Sequence, residues 1–339
     1  MMTRRRFGQT ALAGAIGPMA LQPASSPANR RRFTHLDVFT DVPFAGNQLL
    51  VFLEPAGLDA NAMHTLTRES NYSECTFVFP PEQSGTDHRV RIFTRNGETP
   101  FAGHPTIGTA FALAAAGVIK PGTARSTFGL GVGPTPIDLD WNGSRLSFAW
   151  MTQLKPTFGK TIADLDSLSG ALGLERASIA AERGAPGEVN CGSTFLIVPL
   201  ATRKAVDAAV LDRAKVDAVF AAAGIQRRGV YVVSTESASD GVDAYTRLLG
   251  TGGIEDPATG SAAGPAACFL VRHGLVLAAA FGKLQFLQGV LVGRPSRIHA
   301  NISVGARASD GVEIVGVKVG GRAVVVGDGS VDVPPQGRG

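Results

Sequence analysis

Glu255-Asp256-Pro257-Ala258-Thr259-Gly260-Ser261-Ala262 is a tight loop that delivers carboxylates and a hydroxyl to the first turn of an apolar helix. The chain carries a second copy of its skeleton. Glu98-Thr99-Pro100-Phe101-Ala102-Gly103 has the same Glu-x-Pro-x-x-Gly spacing. At one constant offset Thr94 also matches Thr251 and Gly117 matches Gly274. Between the matched glycines lie two apolar segments of equal length, HPTIGTAFALAAA and SAAGPAACFLVRH. Two loops, each feeding a buried helix, predict a duplicated fold with a site between the halves.

Outward from these loops the chain is mostly strand. Phe33–Leu53 holds two apolar runs around a Pro-Phe-Ala-Gly-Asn turn, and Tyr72–Phe79 is a strand stopped by Pro80-Pro81. Asp59–Ser70 has helical spacing, whereas Arg89–Thr94 alternates Arg with apolar residues as a half-buried strand does. Short strands are predicted near Ser126–Leu130, Pro136–Asp140 and Leu146–Met151, with Asn142-Gly143 as a hairpin turn. Gln153–Lys160, with Pro156 and Gly159, reads as a linker. Ile162–Leu174 and Ala205–Ala223 have helical patterns, and Phe195–Leu200, Gly229–Ser234 and Asp243–Leu249 read as strands. Strands return at Lys283–Leu287, Ser296–Val304, Val312–Val319 and Ala323–Val326; Pro334–Gly339 reads as a frayed tail. A helix apolar on nearly every side needs cover on every side. The expected class is therefore α+β: two pseudo-symmetric domains, each an antiparallel β-barrel wrapped around a central α-helix. The expected division is a leader over 1–28, a first domain over 33–152 completed by 319–332, and a second over 153–318.

The chain has 339 residues, 44% of them hydrophobic, enough for two domains with real cores. Its formal charge of +4 misleads. Residues 1–32 hold six arginines and no acid, which leaves the body near −2. No basic stripe with interleaved aromatics is present, so nucleic acid is not an expected partner. No apolar run reaches the length of a membrane span, so no membrane association is expected of the mature form. Thr3-Arg4-Arg5-Arg6-Phe7 followed by a modestly apolar segment is a twin-arginine export pattern. It places the protein in the periplasm, or in the cytoplasm if the leader is not processed. Cys75, Cys191 and Cys268 show no CxxC spacing and imply neither a disulfide framework nor a metal site, with one oxidised pair as the alternative in an exported protein.

Helix starts carry unpaired N–H groups and a partial positive charge. His104-Pro105-Thr106 and Ser261-Ala262 occupy these positions, and Gly103 and Gly260 let a ligand approach the backbone. Two such ends facing one cleft would hold a carboxylate; each alone could equally be an ordinary capped helix. Deprotonating carbon without a cofactor needs an oriented base, an acid and an anion cradle. Glu74, His104 and Asp256 are the right residue types. By position alone Glu74 is an acid in a strand, His104 a loop histidine and Asp256 a loop charge.

Several motifs change that weighting. Asp37-Val38-Phe39-Thr40-Asp41-Val42-Pro43-Phe44-Ala45-Gly46-Asn47, Ser73-Glu74-Cys75-Thr76-Phe77, Gly103-His104-Pro105-Thr106, Glu255–Ala262 and Gln288-Gly289…Gly293-Arg294-Pro295-Ser296 occur in that order. Together they resemble the PhzF-type phenazine-biosynthesis isomerase family, over nearly everything after the leader. The resemblance implies a diaminopimelate-epimerase-like fold, a small-molecule carboxylate substrate, a homodimer, and acid–base chemistry with no cofactor and no metal. It implies that Glu74 shuttles the proton, with His104 and Asp256 as the other catalytic groups. Asn47, Gly103, Thr106, Gly260 and Ser261 would bind substrate. Related epimerases use two facing cysteines just before the matched glycines, where this chain has Ala102 and Thr259. Two-thiol racemisation is therefore not expected. Two departures stand out: Gln48 replaces the proline of the usual Gly-Asn-Pro, and Cys75 follows the glutamate where many members have threonine. Phenazine precursors are cytoplasmic, so an exported member is expected to act on another substrate. The rival expectation is a periplasmic small-ligand binding protein that keeps the cleft without turnover.

Overall fold

The computed structural model describes residues 29–250, 255–308 and 311–333. The leader over 1–28, Thr251 of the repeat and the tail over 334–339 lie outside them. In the first part of the chain the strands are β1 (Arg30–Val38), β2 (Asn47–Phe52), β3 (Glu74–Phe79), β4 (His88–Thr94), β5 (Gly97–Thr99), β6 (Arg125–Leu130), β7 (Gly133–Asn142) and β8 (Arg145–Gln153). After them come β9 (Thr157–Thr161), β10 (Gly187–Asn190), β11 (Thr194–Pro199), β12 (Val230–Ser234), β13 (Ala244–Leu249), β14 (Leu284–Gln288), β15 (Ser296–Ala308), β16 (Gly311–Gly321) and β17 (Ala323–Asp332). The α-helices are α1 (Ala60–Ser70), α2 (Gly103–Ala115), α3 (Leu165–Ala171), α4 (Arg203–Ala208), α5 (Arg213–Ala223) and α6 (Gly260–Arg272).

One hydrogen-bonded ladder runs through both halves, joined at an antiparallel seam between β8 and β16. On one side of the seam the order is β8-β7-β6-β4-β3-β2-β1-β17. On the other it is β16-β15-β14-β13-β12-β11-β10-β9. Both sides repeat the same directions outward: two antiparallel pairs, a parallel, an antiparallel, a parallel, and two antiparallel pairs. Strand β9 follows β8 yet completes the far edge of the other half, and β17 does the reverse after β16. The sheet is thus mixed, not purely antiparallel as the strand pattern suggested. Each parallel pair is joined by a crossover that carries helix: α1 between β2 and β3, α2 between β4 and β6, α4 and α5 between β11 and β12, and α6 between β13 and β14. Parallel neighbours need such a long return path, and alternation of side chains carries no record of it.

The two matched helices are the core. Every residue of α2 from Gly103 to Leu113 is buried, as is α6 apart from Ser261 and Arg272. Helix α2 packs on β1, β2, β3, β8 and β17, and α6 on β10, β11, β12, β15 and β16. Small residues set how close the sheet comes. A Cβ on Gly108 would lie 2.5 Å from Leu49 and 2.8 Å from Val38.

Three local readings change. Gln153–Lys160 is not a linker throughout, because Thr157–Thr161 is the strand β9, paired with β10. Gly159 is tolerated there because the Glu188 side chain packs where a Cβ would sit. Ala205–Ala223 is two helices, since the Asp212 side chain caps a fresh start by accepting from the Lys215 N–H. Arg30–Arg32 belong to β1, in register with β17, so the ordered sheet begins before Phe33.

Candidate active site

Helices α2 and α6 meet start to start. A Cβ on Gly103 would lie 2.6 Å from the Gly260 Cα and the Ser261 nitrogen, and one on Gly260 would meet the Phe39 ring at 2.7 Å. Gly103 is therefore explained by close approach of one backbone to another, and Gly260 by the Phe39 ring packed against it. The N-caps add a second point. Helices α1, α3, α4 and α5 are closed by the side chains of Asp59, Asp164, Thr202 and Asp212. Among the described α-helices, only α2 and α6 have no side-chain cap bond. Ala102 has no side-chain oxygen to offer, and Thr259 turns its hydroxyl to Asp256 instead. Two uncapped, partly positive ends thus open beside one cleft, a cavity of about 440 Å³ lined from both halves.

Glu74 opens β3 and faces this cleft with a fifth of its side chain exposed. Its Oε2 lies 3.6 Å from His104 Nε2. Burial between the halves, reinforced by the negative charge of Asp256, pushes the Glu74 carboxyl up to about 8. Asp256 is raised to about 6, again chiefly by burial, while hydrogen bonds from Thr259 and Asn47 pull it back. Between these values the two carboxyls hold one proton between them. His104 is buried, and burial lowers it to about 3, so the ring is neutral.

Asn47 ties the three together. Its Nδ2 donates to Asp256 Oδ1 at 2.6 Å and to the Ala258 carbonyl at 2.9 Å, and sits 3.1 Å from His104 Nδ1. Those two bonds use both hydrogens of the amide, so the contact with Nδ1 leaves the tautomer of His104 unassigned. His104 Nε2 has no hydrogen-bond partner and is aimed toward Glu74. A buried polar nitrogen without a partner costs about 1–3 kcal/mol, a cost that a bound ligand can remove.

The residues expected at the site separate into two groups. Glu74, Asn47, Asp256 and Ser261 line the cavity, with Gly103, His104 and Gly260 directly behind it. Thr106 does not reach it. Its side chain is fully buried and its hydroxyl donates to the Ala102 carbonyl at 2.7 Å, one helical turn back. Asn47 is itself buried and serves to position Asp256 and His104. A polar network below Asp256 was not evident in the sequence. Gln288 Nε2 donates to the Asp256 carbonyl and the Thr259 hydroxyl, at 2.8 and 2.9 Å. Gln288 Oε1 accepts from the Thr259 N–H and the Tyr231 hydroxyl, at 3.1 and 3.0 Å. Gln288 appeared only as part of a motif, and Tyr231 gave no signal beyond an apolar strand. Arg294, at the edge of the same cavity, clamps the halves by bonding Asp37 and the carbonyls of Ala45 and Gly46.

The family model for phenazine biosynthesis-like proteins, PhzC-PhzF, matches residues 36–329. The chain belongs to this family. It is 34% identical over 289 residues to trans-2,3-dihydro-3-hydroxyanthranilate isomerase of Pseudomonas aeruginosa, covering 84% of this chain and 95% of that enzyme. It is 32% identical to an uncharacterised isomerase of Mesorhizobium japonicum, over 89% of this chain and 98% of the relative. A Bacillus anthracis phenazine biosynthesis protein of the PhzF family superposes with a TM-score of 0.75 at 24% identity, over 89% and 99% of the two chains. This PhzF-family chain is an isomerase, with an α+β fold. Ala102 and Thr259 sit at the two N-caps, so neither helix start in this family member carries a thiol. The three cysteines are buried and free; Cys191 and Cys268 have their sulfurs 3.8 Å apart, and burial pushes Cys75 up to about 11.

Proposed function

We propose that this isomerase moves a proton on a small carboxylated metabolite, cyclic or open-chain, using side chains alone. The observation that carries the reading is the Glu74–Asp256 pair, raised in its cleft beside two uncapped helix starts. The substrate carboxylate rests on the free amides of those starts. Ionised Glu74 takes a proton from an adjacent carbon, and the electron pair left behind spreads into the conjugated carboxylate. The same carboxyl then returns the proton two carbons away, at the other end of the allylic system, as the carbon–carbon double bond shifts along the substrate. With its proton on Nε2, His104 donates toward the site where negative charge develops, and Asp256 keeps Glu74 basic. A raised carboxyl is a stronger base once ionised, and a neutral imidazole is a donor that carries no net charge.

The pH dependence follows. With Glu74 raised to about 8, only about a tenth of it is ionised at pH 7. Substrate C–H exchange in deuterated water is expected to rise about tenfold per pH unit below 8 and to level off above it. A rate that is flat from pH 6 to 9 contradicts Glu74 as the base. The experiment that finds the substrate is a metabolite screen in deuterated water, scored by a mass gain that depends on Glu74.

The Thr3-Arg4-Arg5-Arg6-Phe7 pattern supports export of the folded protein to the periplasm. Cell fractionation is expected to recover the protein in the periplasm and to lose it there on Arg4→Lys/Arg5→Lys substitution. Equal cytoplasmic recovery of both forms ends that reading.

A further inference from the structure

Five charged side chains line the cleft: Glu74, Arg95, Glu255, Asp256 and Arg294. Two of them are already neutralised. Arg294 is held by Asp37, and Glu255 makes a two-pronged bond to Arg247, with distances of 2.9 and 2.7 Å. Glu74 and Asp256, both raised by burial, carry about one negative charge between them near neutral pH. Arg95 is left over. It is half-buried and, among the described residues, forms no ion pair; its one side-chain bond is to Asn71 Oδ1 at 3.4 Å, the outer limit for such a contact.

The backbone that carries Arg95 is fixed. It lies in the turn between β4 and β5, where the Asn96 N–H donates to the Thr94 hydroxyl and that hydroxyl donates to the Gly97 carbonyl, both at 3.0 Å. His64 of α1 donates from Nε2 to the Arg95 carbonyl at 2.9 Å. Asn71, which ends α1 in a left-handed conformation at φ 55, lines the same end with Tyr72 and Asn96. That end of the cleft therefore offers a guanidinium, two side-chain amides and a phenol. Phe101 and Phe195 supply apolar walls elsewhere in the cavity.

We propose that the cleft takes a small dicarboxylate, its reacting acid on the two helix starts and its second acid on Arg95. The inference rests on the reading above for the first carboxylate, and the helix starts are already occupied when the second acid needs a partner. A guanidinium matches a carboxylate with two parallel N–H bonds, which no other free group in the cleft can do.

The test uses unreactive planar acids: benzoate and the three positional isomers of benzenedicarboxylate, titrated calorimetrically into the wild type, Arg95→Gln and Arg95→Lys. At least one diacid is expected to bind the wild type about tenfold tighter than benzoate, as a charge-assisted pair gives. Arg95→Gln erases that preference, Arg95→Lys keeps part of it, and benzoate changes by no more than about twofold. Thermal unfolding of both variants establishes that they fold. Diacids no tighter than benzoate, or Arg95→Gln weakening benzoate and diacids alike, overturn the dicarboxylate inference alone. No binding of any acid overturns the helix-start cradle itself, and the inference with it.

Discussion

Glu74→Gln lowers deuterium exchange into the substrate by about a thousandfold, the usual scale for losing a positioned general base. The substitution keeps the shape of the side chain, so the cleft and the helix starts stay in place. What disappears is the one carboxyl that is raised toward neutrality, open to the cavity and 3.6 Å from a neutral histidine. Stability moves the other way. Glu74 is raised above its unfolded value of about 4.5, so its contribution to folding is full below that pH and is lost as pH rises through about 8. Glu74→Gln therefore unfolds at a higher temperature than the wild type at pH 9, by on the order of 5 °C, and loses this advantage near pH 4. An unchanged exchange rate removes Glu74 from the chemistry. Tight binding by the wild type with no exchange in either protein favours a binding protein on the same fold.

Gly103→Ala is expected to be the most damaging one-carbon change. The added methyl would stand 2.6 Å from backbone atoms of Gly260 and Ser261, where no side chain can rotate away. Overpacking of this kind costs about 1–3 kcal/mol, against a gain of up to about 1 kcal/mol from the helix preference of alanine. The larger loss is in activity. Separating the helix starts by even about 1 Å misplaces the anion cradle relative to Glu74, which is expected to slow exchange about a hundredfold. Gly170→Ala is the control, because nothing lies within 4 Å of its added carbon in α3. Exchange rates and thermal unfolding midpoints decide the matter. If Gly103→Ala behaves like Gly170→Ala, the contact between helix starts has no functional weight.

Much of the site was legible because duplication leaves matched spacing. Glu98–Gly103 and Glu255–Gly260 announced two loops and two buried helices, and the structure sets those helices start to start. Glu74, His104 and Asp256 could be named by residue type and motif. Their electrostatic state could not, since it arises from burial and from Asp256 acting on Glu74 across the cleft. Thr106 was misjudged because a hydroxyl in a helix can turn back to its own backbone, and the chain does not write which way it turns. Gln288 and Tyr231 stayed hidden because their partners are far away in sequence.

The sequence alone determined the repeated loop-and-helix units, the export pattern and the residue types available for acid–base work. Periodicity and composition encode these directly, because they depend on neighbours along the chain. The tertiary structure decided the mixed strand directions, the exchange of β9 and β17 between halves, and the meeting of Glu74, Asn47, His104 and Asp256. Those depend on contacts between distant segments, as does the bond from Asn47 to Asp256 across 209 positions. Folding closes such contacts through packing, and local pattern carries no record of which partner wins.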